Sequence, residues 1–278
     1  MLFCYGGTIN IYGSHLHNRG GVDWGDAVFY SGNVTIKDSI LSAEYGVTDT
    51  AYQRRWGFTA NLSTLNLRNV YFEDVHSIYL DISPNSAEDV HVNGGRFGIN
   101  SQNTATVTNL KVSNKDDIAL VSPGKTLTLI DPGQTAVAAD LDLTDTSYYN
   151  EEYTINITVT DKDGVLLDGV EVLCEDKDDA QAFTTTTGDT DTGKIDEQQV
   201  RYKQGTGATE VVTTYSPHKF TISKAGHETL ILENITIDAP IVWHLELQDV
   251  VVASAGDALL DDEGNTYIGL SSKLITAV

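Results

Sequence analysis

The chain has 278 residues with 17 Lys and Arg against 40 Asp and Glu, a formal charge of −23. Its length allows one large or two ordinary domains, and 40% hydrophobic residues suffice for real cores, which argues against intrinsic disorder. Two Cys and five Pro exclude a disulfide framework and a Pro-rich stalk, no apolar run reaches the roughly 18 residues of a membrane span, and so acidic a chain lacks the basic footprint of a nucleic-acid binder.

The chain opens Met1-Leu2-Phe3-Cys4-Tyr5-Gly6-Gly7, with no basic segment before it and an apolar stretch too short for a secretory signal. A removed signal, or release of a virion by lysis, accounts for this start equally well. Cys4 and Cys174 fall in different halves, so free buried thiols are expected rather than a disulfide.

A short pattern then recurs: apolar, any, apolar, any, then Asn, Asp or Gly. It reads Ile9-Asn10-Ile11-Tyr12-Gly13, Val34-Thr35-Ile36-Lys37-Asp38, Leu65-Asn66-Leu67-Arg68-Asn69 and Val90-His91-Val92-Asn93-Gly94. A weaker copy is Leu110-Lys111-Val112-Ser113-Asn114, and the steps are 25, 31, 25 and 20 residues. Large apolar residues follow seven places on, at Leu16, Leu41, Phe72 and Phe97. Period-two alternation places each apolar pair on one face of a strand. The Asn, Asp or Gly then accepts turn or left-handed geometry, so the chain bends at the same place each time. Between copies lie further strand-like pieces, Ala27-Val28-Phe29-Tyr30 and Ile78-Tyr79-Leu80-Asp81-Ile82. No single repeat can bury its apolar face alone, so successive coils share a core.

This pattern resembles the right-handed parallel β-helix of the pectate-lyase-like superfamily. An antiparallel sandwich is the competing reading, but its strands recur every 8–12 residues with hairpin signals, and the longer phase favours stacked coils. The first coil has no polar cap, and solenoid ends need one. Another chain, or a further part of the same protein, is therefore expected to cover it.

After Asp145 the phase changes. Tyr153 to Val159 alternates as a strand and ends in Asp161-Lys162-Asp163-Gly164, and Leu167-Asp168-Gly169-Val170-Glu171-Val172 follows as turn and strand. A polar stretch from Asp176 to Gln199 precedes Phe220-Thr221-Ile222-Ser223-Lys224-Ala225-Gly226-His227, and Ile235 to Leu247 supplies alternating strands. Residues 150–248 resemble the carboxypeptidase-regulatory-like family, a small sandwich of transthyretin-like or Ig-like type. The segment 176–214 departs from it by expanding a short hairpin. The resemblance implies a spacer, adhesive module or folding partner without catalytic residues.

The expected organisation is therefore all-β: a short right-handed parallel β-helix over 1–145, an Ig-like sandwich over 146–248, and a strand-forming tail over 249–278. Residues 1–145 carry a net charge of −7 and residues 146–278 a net −16, so the second part bears most of the repulsive, solubilising surface.

Chemistry is sparse. The acid, base and cation candidates for polysaccharide cleavage are Asp116, Asp117, Asp74, His76, His91, Arg54, Arg55 and Arg96, and none has the catalytic spacing of the pectate-lyase-like enzymes. Asp161-x-Asp163-Gly164 and Asp189-x-Asp191 echo pieces of a Ca²⁺ loop but lack the remaining ligands, and turn chemistry explains both. His15 and His17 share a strand face, yet no third Zn²⁺ ligand lies nearby. Asn33, Asn61, Asn156 and Asn234 lie in glycosylation sequons. Tyr12, Tyr79, Trp24 and Trp56 are the candidate sugar platforms.

The reading is a structural protein with no assigned catalytic or metal residues and no cofactor, Ca²⁺ being the one ion with any sequence support. It belongs to a virion or extracellular surface assembly, and its partners are copies of itself, other structural proteins or surface glycans. A secreted polysaccharide lyase or hydrolase and a carbohydrate-binding adhesin are the alternatives.

Overall fold

The computed structural model describes residues 3–4, 7–18, 27–43, 55–73, 75, 77–93, 97–113, 117–133, 141–143, 146–207 and 211–250. These form no helix. The strands of the first half are β1 (Phe3–Cys4), β2 (Thr8–Tyr12), β3 (His15–Asn18), β4 (Ala27–Phe29), β5 (Gly32–Ala43), β6 (Arg55–Phe58), β7 (Leu62–Glu73), β8 (Ser77–Leu80), β9 (Ser86–Asn93), β10 (Phe97–Ser101), β11 (Ala105–Thr108), β12 (Lys111–Ser113), β13 (Asp117–Val121), β14 (Thr126–Ile130) and β15 (Leu141–Leu143). The second half adds β16 (Tyr148–Asp161), β17 (Glu171–Glu175), β18 (Gln181–Thr186), β19 (Gln198–Thr206), β20 (Val211–Thr214), β21 (His218–Ser223), β22 (Leu230–Ile235) and β23 (Ile241–Leu247).

From β1 to β16 the chain passes alternately through two sheets, returning one place further along each. The seven-stranded sheet runs β1-β4-β6-β8-β10-β13-β15, and the twelve-stranded sheet runs β2-β5-β7-β9-β11-β14-β16-β19-β20 with β3, β12 and β23 beside it. Every described pairing among β1 to β16 is parallel, so the antiparallel alternative does not describe this half. Inward residues such as Val34, Ile36, Leu65, Leu67, Leu127 and Leu129 fill one continuous core between the sheets.

The bends fall where left-handed backbone is needed. Gly13, Asp38, Asn69, Asp89, Asn109 and Asp131 have φ between 49° and 54°. Asn and Asp tolerate this region because their short polar side chains bond locally. In the column the acids alternate with amides. Asn69 Nδ2 donates to Asp38 Oδ1 at 2.8 Å and Asn109 Nδ2 donates to Asp89 Oδ1 at 2.6 Å. Asp131 closes the column by accepting from the backbone N–H and the hydroxyl of Thr154, both at 2.8 Å. Like charges directly opposite one another on adjacent strands are destabilising, and the interposed amides prevent that. Asn69→Asp places three carboxylates in succession and removes a charge-assisted donor. It is expected to cost about 1–2 kcal/mol at neutral pH, read from urea unfolding, with part of the loss recovered near pH 4.

The column corrects the repeat read from sequence. Asp89 and Asn109, not Gly94 and Asn114, continue it, so the steps from Gly13 are 25, 31, 20, 20 and 22 residues. Val90 pairs with Val70, and Lys111 pairs with His91. The fourth and fifth copies therefore match the arm after the bend rather than the arm before it. The apolar column is Leu16, Leu41, Phe72, Val92 and Val112, while Phe97 lies in β10 of the other sheet. Both arms alternate with period two, so the pattern alone does not say on which side of the corner a match lies.

β16 carries the chain out of the stack. Over Tyr148–Glu152 it pairs in parallel with β14, and over Ile155–Asp161 it pairs in parallel with β23. β19 lies antiparallel along Tyr148–Ile155. Tyr149 belongs to the first core, while Tyr153, Ile155, Ile157 and Val159 belong to a second. The second core is closed by the four-stranded sheet β18-β17-β21-β22, through Val172, Cys174, Phe220 and Ile222. Within the expanded 176–214 segment the structure places β18, β19 and β20.

Candidate functional site

Alternation in the arms before the bend sends one set of side chains into the core and the other set out. The outward set forms three rows running across the strands. In the first row Thr8 is paired with Asn33, Asn33 with Thr64, and further along Thr126 with Tyr148. In the second, Asn10 is paired with Thr35, Thr35 with Asn66, Asn66 with Ser86, Thr106 with Thr128 and Thr128 with Asn150. The third row, Tyr12-Lys37-Arg68-Glu88-Thr108, carries charge. The first two rows carry none. Their side chains bond from strand to strand: Thr64 Oγ1 to Asn33 Oδ1 at 3.0 Å, Ser86 Oγ to Asn66 Oδ1 at 3.1 Å and Asn150 Nδ2 to Thr128 Oγ1 at 3.3 Å.

A second polar face follows the bend. His15 Nε2 and His17 Nδ1 both meet Ser42 Oγ, at 2.7 and 2.8 Å, with their rings 6.4 Å apart. Two coils on, the Tyr71 ring meets His91 edge to face at 4.6 Å, and Asn93 Nδ2 donates to Tyr71 Oη at 3.1 Å. His91 Nε2 lies 2.9 Å from Ser113 Oγ, whose hydroxyl donates to Asn93 Oδ1 at 3.3 Å. That order makes Nε2 the protonated ring nitrogen. Burial, and then the positive charge of Lys111, hold the His91 pKa below its usual value, so the ring is a neutral hydrogen-bonding group at pH 7.

Of the cleavage candidates only His91 is placed in full. Asp116, Asp74, His76, Arg54 and Arg96 lie outside the described residues, as do the side chains of Asp117 and Arg55. Trp24 and the tail beyond Val250 also lie outside them. Asp161 Oδ1 accepts the backbone N–H groups of Asp163 and Val165 at 2.9 and 2.8 Å, which makes its loop a turn closed by its own side chain. Asp191 pairs with Lys194. Among the described residues no group of three or more His, Cys, Asp or Glu is placed to hold a metal ion. Trp56 is buried and stacked on Phe29, so it serves the first core rather than a sugar. Tyr12 is 57% exposed. Among the sequons Asn33, Asn61 and Asn234 are exposed and Asn156 is half-buried.

Two buried groups in the second half are inert to solvent. Cys174 is a free thiol whose pKa is pushed up to about 12, chiefly by burial and then by the charges of Asp176 and Glu175. His218 is buried with Nδ1 3.2 Å from Ser216 Oγ, and its Nε2 has no partner among the described residues. Burial holds the His218 pKa below 6.5, opposed in part by Asp176. The unfolded chain therefore takes up a proton near pH 6.5 that the folded chain resists, and stability falls as pH drops below that value. The urea midpoint is expected to fall between pH 7 and pH 5.5. His218→Gln should be less stable at pH 7 and lose less over that window; an unchanged slope would remove His218 from the account.

No protein-family model matches the chain, and no curated protein matches it.

Proposed function

We propose that this chain is a non-catalytic structural component of a virion or extracellular surface assembly. In this reading residues 1–145 are a short right-handed parallel β-helix and residues 146–248 a carboxypeptidase-regulatory-like sandwich. The observation that carries it is β16. One strand of 14 residues leaves the first core at Tyr149 and enters the second at Tyr153, with β19 paired along one edge from Tyr148 to Ile155 while the other edge passes from β14 to β23. A joint crossed by a paired strand, with one register shift at Glu151/Glu152, is stiffer than a linker, and domains joined by a linker move relative to one another by default. The charge of −23 keeps such a part soluble before it assembles.

The reading predicts a defined oligomer at micromolar concentration, measured by multi-angle light scattering on the full chain. A monodisperse monomer at that concentration would count against it and turn attention to the glycan-active alternatives.

A further inference from the structure

We propose that the uncharged outer face of the twelve-stranded sheet binds a linear neutral glycan, laid across the strands along the row Asn10, Thr35, Asn66, Ser86, Thr106 and Thr128. The inference does not rest on the structural reading above, and a glycan-binding monomer would leave it standing.

The first argument is charge. In a chain of net −23, the first two outward rows contain no Asp, Glu, Lys, Arg or His among their paired residues, and the charges begin only in the third row, with Lys37, Arg68 and Glu88. Hydroxyl and carboxamide side chains both donate and accept, which is the complement of a polymer of sugar hydroxyls. A carboxylated or sulfated polymer approaching the same strip meets the repulsion of the whole molecule.

The second argument is shape. Five strand steps of about 4.8 Å from β2 to β14 give a strip roughly 24 Å long, and two rows about 7 Å apart make it roughly 10 Å wide. That is about 240 Å², well short of the roughly 800 Å² per partner of a standard protein interface. It suits one extended chain. A peptide strand would take an open sheet edge rather than a sheet face.

The third argument is aromatic. Tyr12 stands on β2 in the third row beside Asn10, and Tyr148 stands on β16 in the first row beside Thr126; they flank the strip and are 57% and 44% exposed. Exposed phenol rings offer the apolar platform that a pyranose face stacks on, with a hydroxyl at the wet end.

The test is affinity electrophoresis and calorimetry of the full chain with hydroxyethyl cellulose and laminarin as neutral probes and polygalacturonate as the acidic one. Wild type is expected to be retarded by at least one neutral polymer and not by polygalacturonate. Thr35→Glu/Thr106→Glu puts two carboxylates into the strip on outward positions and should weaken binding about tenfold or more, since each must be desolvated without a partner. Thr184→Glu, on the exposed face of β18, should bind as wild type does. Circular dichroism checks that each variant folds. Retardation by no neutral polymer, equal retardation by polygalacturonate, or undiminished binding in the double variant overturns the proposal. So does a fall in native mass in the double variant, which would make the strip a contact between copies.

Discussion

Glu151→Ala is expected to remove about 3–5 kcal/mol of stability, because Glu151 accepts two buried hydrogen bonds and each bond to a charged group is worth about 1.5–3 kcal/mol. Glu151 is fully buried on β16 between the two cores, and its carboxylate accepts from Tyr149 Oη at 3.2 Å and Tyr153 Oη at 2.7 Å. Period two puts residues 149, 151 and 153 on one face, so three consecutive inward side chains form the seam. The negative charge of Glu151 also contributes, after burial and Asp238, to raising the Tyr202 pKa. Alanine removes the charged acceptor that both phenol hydroxyls bond to and leaves a void. Glu151→Gln keeps one acceptor oxygen and should lose about 1–2 kcal/mol. The decisive comparison adds Tyr149→Phe and Tyr153→Phe to Glu151→Ala. Each phenylalanine should cost less there than beside an intact Glu151, because the bond its hydroxyl gives the carboxylate is already gone. Urea unfolding followed by circular dichroism reads all three. An unshifted midpoint for Glu151→Ala contradicts the seam.

The second large effect is in the first core. Phe72→Ala is expected to cost about 3–5 kcal/mol, because Phe72 is fully buried in the column between Leu41 and Val92. Its neighbours are held at strand spacing by ladders on both sides, and β-branched Val92 is stiff, so the cavity cannot collapse. Phe72→Leu, which matches Leu41 and Leu16 further along the column, should cost only about 1–2 kcal/mol. Equal losses for the two variants would show that the column does not pack as described.

The sequence was informative where one residue has to do a special thing. Asp38 and Asn69 were legible as bend residues because few residues accept φ near 50°. Asp89 and Asn109 were missed because the inward positions before those bends include Ala87 and Ala105, too small to register as an apolar pair, while Val90-His91-Val92 after the bend imitates the motif. Asp131 was legible and passed over: Leu127-Thr128-Leu129-Ile130-Asp131 is a full copy of the pattern. The neutral strip was not legible at all. Its neighbours are 20 to 31 residues apart in sequence, and intervening segments of unequal length hide which Thr faces which Asn until register is known. Glu151 was invisible for a related reason. Glu151-Glu152 reads as a solvated pair, and only its place between two tyrosines on a strand shared by two cores buries one of them.

Hydrogen–deuterium exchange along β16 tests the joint most directly. If one strand is built into both cores, the amides of Glu151 to Thr154 exchange as slowly as those of Thr128–Ile130 before them and Ile157–Val159 after them. A fast-exchanging window at 151–154 between two protected flanks would make this segment a linker and contradict the rigid joint on which the structural reading depends.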